Sequence, residues 1–167
     1  HLDIFHFDYA TELSQRIIVT FLEKLIIDAE YTYDELNDRI VAAGFYSDEH
    51  PARSSGYFYL NLSARKPEDR ILVMHPFPDE LTGNILATGA IHKDEEVEDL
   101  FTREIILRRD GGLILVGEIT RLFERQIASS SRMINANFSI DYYYEDVLLL
   151  SIHPSGERHW ESVLHKR

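Results

Sequence analysis

An Asp-Gly pair set between two apolar runs, in the segment TREIILRRDGGLILVGEIT (residues 102–120), constrains the fold more than any other feature. Asp-Gly is a preferred two-residue turn of a β-hairpin. With Asp110-Gly111 as the turn, apolar residues face apolar ones and Arg103 faces Glu118, which is a favourable cross-strand match. Because both faces of this hairpin are apolar, we expect it to be central in a sheet and buried on both sides. The expected register pairs Leu107 with Ile114, Ile106 with Leu115 and Ile105 with Val116.

Other short segments rich in β-branched and aromatic residues lie between turn residues after position 55. They include GYFYLNLSA, RILVMHP and DVLLLSIH, whose length and composition are typical of strands. The connections between them are mostly of hairpin length, which favours antiparallel pairing. The sequence therefore predicts a mostly antiparallel sheet of five to seven strands over residues 56–167.

Two helices are predicted ahead of this sheet. In residues 9–30 apolar side chains recur every four residues, which indicates one face of a helix. Residues 33–43 follow Thr32-x-x-Glu35, the pattern of a capping box, and precede Gly44, a residue type suited to the end of a helix. The interpretation is a single α+β domain over residues 1–167, with an αα-hairpin in residues 1–46. The apolar repeat of the first helix is Leu13, Ile17, Phe21 and Leu25.

The composition excludes several classes of function. The chain has no cysteine, which removes disulfides, thiol catalysis and cysteine-based zinc sites. No apolar run approaches the roughly 18 residues that a membrane helix needs. The beginning of the chain, HLDIFHFDYA, is acidic and aromatic, which is not the pattern of a signal peptide. We therefore expect a cytoplasmic protein that does not cross a membrane.

The net charge of −12 is unevenly distributed along the chain. Residues 1–50 carry eleven acidic and three basic residues, whereas residues 103–167 carry nine of each. An acidic chain repels nucleic acid and favours docking to a basic protein partner. Residues 32–45 also have the rhythm of a winged-helix unit, which leaves a nucleic-acid binder as a further alternative. The segment after them is acidic and contains Pro51, where a basic recognition helix would be needed.

The first functional hypothesis is therefore a non-enzymatic protein-binding or regulatory protein, similar in character to immunity proteins and antitoxins. It would bind a basic partner through an acidic helical face. Trp160 beside Arg158 near the end of the sequence has the composition of an interface hot spot and is a second candidate contact. The candidate acidic contacts are Asp28, Glu30, Asp34, Glu35 and Asp38.

A metal-dependent enzyme is the alternative hypothesis. His92 and Asp94 form a His-x-Asp triplet, and His153 and Arg158 follow later in the chain. This order resembles the facial triad of the 2-oxoglutarate/iron oxygenases, and the resemblance covers these four residues. It implies an Fe(II) site at His92, Asp94 and His153, whereas the first hypothesis needs no cofactor. Phosphate-loop and Gly-x-Ser-x-Gly patterns are missing, so no catalytic residue is predicted.

Overall fold

The computed structural model describes residues 1–9, 11–21, 23–86, 96–127 and 137–166. Within these ranges the chain forms twelve β-strands and a helix of eight residues, α1 (Asp79–Leu86). No helix in the described ranges is long and apolar enough to cross a bilayer. The strands are β1 (Leu2–Asp8), β2 (Leu13–Val19), β3 (Leu25–Asp34), β4 (Arg39–Ser47), β5 (Arg53–Ser54), β6 (Gly56–Ser63), β7 (Arg70–Pro76), β8 (Val97–Glu98), β9 (Leu100–Leu107), β10 (Leu113–Ile127), β11 (Asn137–Ile152) and β12 (Arg158–Leu164).

Two four-stranded antiparallel sheets form the body of the fold. The first sheet has the order β3-β4-β6-β7 and the second sheet the order β9-β10-β11-β12. Each is a meander in which neighbouring strands also follow one another along the chain, apart from the two-residue strand β5. Strands β1 and β2 form a separate antiparallel pair, which we call the hairpin layer, and β5 pairs with β8.

The first sheet is covered on both faces, so the fold has three layers. Alternate residues of β4 point to opposite faces, as the pleat of a strand requires. One face packs against the second sheet, and the other packs against the hairpin layer. The first contact includes Val41, Ala43, Phe45, Tyr57 and Tyr59 of the first sheet with Leu113, Leu115, Leu148, Leu150 and Ile152 of the second. The other contact includes Ile40, Ala42, Phe58, Leu60 and Leu62 with Ile17 and Val19 of the hairpin layer.

The predicted α+β class with an N-terminal αα-hairpin is wrong. Residues 9–30, expected as one helix, contain β2, a connection and the start of β3. Their Ile-Ile-Val-Thr run (residues 17–20) is β-branched, and such side chains lose rotamer freedom in a helix but fit a pleated surface. Ile17 and Val19 are buried while Ile18 is half-exposed, which is the two-residue period of a strand.

Residues 33–43, expected as the second helix, contain the end of β3, a turn and the start of β4. Thr32 and Glu35 therefore do not cap a helix. The turn is held instead by Asp34, whose carboxylate accepts hydrogen bonds from the amides of Leu36 (3.1 Å) and Asn37 (3.2 Å). Such a local bond stabilises a turn and competes with a helix. Gly44 lies inside β4, where an added Cβ would be 2.0 Å from the backbone oxygen of Asp28.

A hairpin does form around Asp110-Gly111, but the expected register is wrong by one residue. Leu113 lies opposite Leu107, and Ile114 lies opposite Ile106. The loop has three residues because the amide of Arg108 donates to the carbonyl of Gly112 (2.8 Å), and Gly111 takes the positive φ of 83° that this loop requires. The register shifts by a further residue between Val116 and Gly117, so Glu118 lies opposite Phe101 and not opposite Arg103. The side chains of Arg103 and Glu118 nevertheless form the expected ion pair, at 2.8 Å.

We expected both strands of this hairpin to be central in the sheet and buried on both faces, and this is right only in part. β10 is an inner strand of the second sheet, but β9 is an edge strand. On β10, Leu113, Leu115 and Ile119 face the first sheet and are buried, whereas Ile114 and Val116 on the opposite face remain partly exposed. We call this second surface the outer face of the second sheet.

Candidate functional site

An aromatic cleft lies between β1 and the hairpin formed by β3 and β4. It has a volume of about 490 Å³, which is within the range of ligand-binding pockets. Ile4, Ile40 and Ala64 give it an apolar lining near the hairpin layer's contact with the first sheet. Five aromatic rings also line it, and we refer to the whole as the aromatic cleft. The rings are Phe5, Phe7, Tyr9, Tyr31 and Tyr33.

Consecutive residues of two strands line this cleft. Residues 4–7 of β1 and residues 31–33 of β3 all contribute. A strand face presents every second residue, whereas a strand edge presents consecutive ones. Both are edge strands: among the described strands, β1 pairs only with β2, and β3 pairs only with β4. The aromatic cleft is therefore bounded by two strand edges whose outer backbone groups have no ladder partner among the described strands.

The rings of the cleft are unusually exposed for large aromatic side chains. Tyr9 is 87% exposed, Phe5 and Tyr31 are each 76% exposed, and Phe7 and Tyr33 are nearly half exposed. Tyr31 and Tyr33 share a face of the first sheet with Ala42 and Ile40, because they lie opposite these residues in the register. The hairpin layer covers that face at β4 and β6 but leaves the rings on β3 open. Contiguous apolar exposure of this kind marks binding surfaces.

A polar group closes one end of the cleft. Asp38 accepts a hydrogen bond from the hydroxyl of Tyr33 and forms an ion pair with Arg65 (Nε to Oδ2, 3.0 Å). The hydrogen bond to Asp38 raises the pKa of the Tyr33 phenol above its ordinary value. Asp38 lies in the turn between β3 and β4 and has the left-handed backbone conformation, with a φ of 53°. The cleft thus offers rings along its length and a fixed carboxylate at one end.

The acidic contacts expected on a helical face lie instead on β3 and the turn after it. Asp28 and Asp34 have structural functions: Asp28 accepts a hydrogen bond from the amide of Thr102 (2.9 Å), which joins β3 to β9, and Asp34 holds the turn. Glu30 and Glu35 are exposed. Asp38 lines the aromatic cleft. The helical face itself does not exist, because these residues belong to a β-hairpin.

Trp160 and Arg158, the other expected partner contacts, are far from the aromatic cleft in the fold because they lie on β12. Trp160 is 40% exposed and lies opposite Ser151 on the outer face of the second sheet. Arg158 forms an ion pair with Glu161 at 2.7 Å. The structure therefore separates the expected contacts into two surfaces.

The expected iron site is only partly within the structure. His92 and Asp94 lie outside the described residues. His153 is exposed, and its Nδ1 is 3.2 Å from the hydroxyl of Ser155 in the turn before β12. Within the described part of the chain, no group of three or more His, Asp or Glu side chains is placed to hold a metal ion. The Fe(II) hypothesis stays a prediction.

A polar cavity of about 680 Å³ lies near His50, Arg53 and Glu96. Two of its polar groups already have partners: the hydroxyl of Ser55 donates to Glu96 (2.7 Å), and Arg53 pairs with Glu98 (3.3 Å). The aromatic cleft, with its exposed rings, is the better candidate site.

This chain is therefore a layered antiparallel β protein with an exposed aromatic cleft. No protein-family model matches the chain, and no curated protein or solved structure matches it either.

Proposed function

We propose that this protein is a non-enzymatic binding protein that takes an extended, basic segment of a partner protein into the aromatic cleft. The observation that carries this proposal is the cleft itself, in which five exposed rings lie between two unpaired strand edges. Aromatic side chains dominate the energetics of protein interfaces because they bury much apolar area with few rotatable bonds.

The unpaired edge of β1 supports an extended conformation for the bound segment. A peptide that lies along a strand edge forms main-chain hydrogen bonds with it, and pockets for alternate side chains give specificity. Along β1, Phe5 and Phe7 alternate with Ile4 and His6, so a bound strand would meet rings at every second position. The main chain would supply affinity, and the rings would select apolar side chains.

The charge around the cleft supports a basic partner. Asp38 and Arg65 line the cleft as an ion pair, so the excess negative charge comes from the exposed carboxylates of Glu30, next to Tyr31, and Glu35, in the turn after β3. These acidic residues belong to the segment 1–50, which contains eleven acidic residues and only three basic ones. Complementary charge raises association rates and suppresses wrong partners.

A peptide selection on matched variants tests this proposal. A displayed library of random peptides is selected on the wild-type protein, and the recovered peptides are measured against Phe7→Ala and Phe123→Ala. Both phenylalanines are about half exposed, at 46% and 51%, but only Phe7 lines the cleft. We expect Phe7→Ala to weaken binding at least about tenfold, which is the scale of one interface aromatic, and Phe123→Ala to leave it unchanged.

The composition of the recovered peptides is the second readout. We expect aromatic or aliphatic residues at alternate positions together with Lys or Arg, and an affinity that falls as salt is raised. If the peptides bind Phe7→Ala as well as the wild type, or if no peptide is enriched over an empty support, the proposed function is wrong.

A further inference from the structure

A smaller cavity adjoins the aromatic cleft along β1, and we call it the side cavity. It has a volume of about 250 Å³, and Asp3 is the only charged residue in its described lining. Because the side cavity shares walls with the cleft, a side chain of a segment bound in the cleft can enter it. The shared walls are Ile4, Phe5, Tyr31 and Ile40, and Leu2 and Asp3 complete the lining.

The carboxylate of Asp3 has one oxygen in use and one without a partner. Its Oδ2 accepts a hydrogen bond from Nη2 of Arg16 (2.8 Å), and Nε2 of His1 lies 3.6 Å from the same oxygen. Its Oδ1 is buried and accepts no hydrogen bond within the described part of the chain. A buried acceptor without a donor costs free energy and is rare in folded proteins. Oδ1 is therefore an acceptor for which the described chain supplies no donor.

The other carboxylate of these two cavities has no such oxygen. Asp38 accepts a hydrogen bond from the hydroxyl of Tyr33 on Oδ1, and Nε of Arg65 contacts its Oδ2 (3.0 Å). In the described lining of the cleft and the side cavity, Asp3 therefore carries the one carboxylate oxygen that is still without a partner.

The second sheet contains a complete cluster of the same kind. Glu118 accepts hydrogen bonds from two cations, Nε of Arg103 on Oε2 (2.8 Å) and Nζ of Lys166 on Oε1. Both cations also lie over the ring of Tyr144: Cζ of Arg103 is 5.7 Å and Nζ of Lys166 is 5.9 Å from the ring centre. One carboxylate, one aromatic ring, an arginine and a lysine thus form a closed cluster.

Asp3 belongs to the same arrangement with one member missing. Arg16 occupies Oδ2, and its Cζ lies 5.8 Å from the ring centre of Phe5. Phe5 lines both the aromatic cleft and the side cavity. Oδ1 of Asp3, which corresponds to the oxygen that a lysine binds at Glu118, has no partner in the described residues. The comparison identifies a lysine as the missing member.

We propose that the side cavity takes a lysine side chain of the segment bound in the aromatic cleft, and that its ammonium group donates to Oδ1 of Asp3. The inference rests on the proposed function, because the same segment must lie in the cleft. The aliphatic part of the lysine packs against the apolar walls at Leu2 and Ile4, as long charged side chains do. Its ammonium group lies beside the rings of Phe5 and Tyr31, whose faces attract a cation.

The single unpartnered oxygen favours lysine over arginine. The planar guanidinium group binds a carboxylate best through two parallel hydrogen bonds, one to each oxygen. This geometry is not available at Asp3, since Arg16 occupies Oδ2. An ammonium group is a compact charge that can bind through one oxygen. Asp3 is therefore the residue that determines specificity for lysine at one position of the bound segment.

A peptide selection on matched variants tests the inference. The displayed library of random peptides is selected on the wild type, on Asp3→Asn and on Asp48→Asn. Both substitutions remove one carboxylate charge and one ion pair, but Asp48 pairs with Lys24 and lines neither the cleft nor the side cavity. We expect the wild type and Asp48→Asn to recover peptides with a lysine at one fixed position. Asp3→Asn should recover the same apolar pattern without a preference at that position.

Changes in the peptide separate recognition of the lysine from effects on folding. One recovered peptide is measured with its lysine replaced by norleucine, which keeps the aliphatic chain without the charge, and by arginine. We expect norleucine to weaken binding to the wild type at least about tenfold, the scale of a hydrogen bond to a charged group, and to leave binding to Asp3→Asn unchanged. Arginine should also weaken binding to the wild type. Arg16→Gln frees Oδ2, so it should still bind the lysine peptide and should bind the arginine peptide more tightly than the wild type does.

The outcomes distinguish this inference from the proposed function. Peptides that lose affinity for Phe7→Ala but carry no preferred lysine would leave the proposed function standing and overturn the lysine site. A lysine preference that survives in Asp3→Asn, or a loss of lysine binding in Arg16→Gln equal to that in Asp3→Asn, would overturn it as well. If no peptide is enriched on the wild type, both are wrong. Circular dichroism establishes that each variant is folded; if Asp3→Asn is unfolded, the norleucine and arginine peptides on the wild type and Arg16→Gln decide the result.

Discussion

The two four-stranded sheets have the same topology and differ in what covers them. In the first sheet, the central strands β4 and β6 are buried on both faces, by the second sheet on one side and by the hairpin layer on the other. In the second sheet, β10 and β11 alternate between buried residues and partly exposed apolar ones. Burial here therefore depends on which faces another layer covers and not on the hydrophobicity of the strands.

The contact between the two sheets should give the largest effect on stability. Phe45 is fully buried there; its ring is 6.1 Å from that of Phe77, and an added Cβ on Gly117 would lie 2.6 Å from it. We expect Phe45→Ala to lower the free energy of unfolding by about 3–5 kcal/mol, because the second sheet cannot collapse into the space. Denaturant unfolding measures this loss, and a change below about 1 kcal/mol would mean that the sheets do not pack as described.

A pair of leucines tests the difference between the two outer faces. Leu60 of the first sheet is fully buried under the hairpin layer, whereas Leu149 on the outer face of the second sheet is partly exposed. We expect Leu60→Ala to cost about 2–5 kcal/mol and Leu149→Ala about 1 kcal/mol, since less apolar area leaves water at the second site. Both are measured by denaturant unfolding at a low protein concentration. Equal losses would contradict the unequal cover of the two sheets.

Glu118 should give the smallest effect, through the pH dependence of stability. Burial alone would raise the pKa of Glu118, but hydrogen bonds and charge interactions with Lys166 and Arg103 outweigh it and lower the pKa. A carboxylate with a lowered pKa stabilises the fold above its ordinary pKa near 4.5, and this contribution is lost as the pH falls through the folded value. We expect Glu118→Gln to remove up to about 1 kcal/mol at neutral pH.

The control for this prediction is the pH profile of the same variant. The difference in unfolding free energy between the wild type and Glu118→Gln should shrink as the pH is lowered below about 4.5, because the wild-type carboxyl becomes neutral. A difference that stays constant from neutral to acidic pH would assign the effect of the substitution to packing.

Part of this fold follows from local sequence signals. The hairpin at residues 102–120 and its ion pair between Arg103 and Glu118 are present, because Asp-Gly and alternating charge act over a few residues. The register differs by one residue because Gly111 takes a left-handed conformation in a three-residue loop, which the sequence does not distinguish from a two-residue turn. A shift of one residue exchanges the faces of β9.

The N-terminal third shows where such signals mislead. Apolar residues four apart satisfy the period of a helix and also the period of a strand, and the β-branched and tyrosine-rich segments favour the strand. Of the residues that line the aromatic cleft, the sequence predicted only Asp38 as a partner contact and missed the five rings. The sequence pattern that could have indicated these rings is the alternation of Phe5, Phe7 and Tyr9 with other residues, which is typical of one face of a strand. Which strand edge they face depends on contacts between β1 and β3, which local patterns do not encode.

The unequal cover of the two sheets is tested most directly by single-cysteine labelling, since the chain has no cysteine of its own. Ala42→Cys places a thiol under the hairpin layer, and Val116→Cys places one on the outer face of the second sheet. At a protein concentration low enough to keep the chain monomeric, we expect a thiol reagent to label Val116→Cys at least about tenfold faster than Ala42→Cys, which reacts only through local opening. Equal labelling rates in the two folded variants would contradict the account.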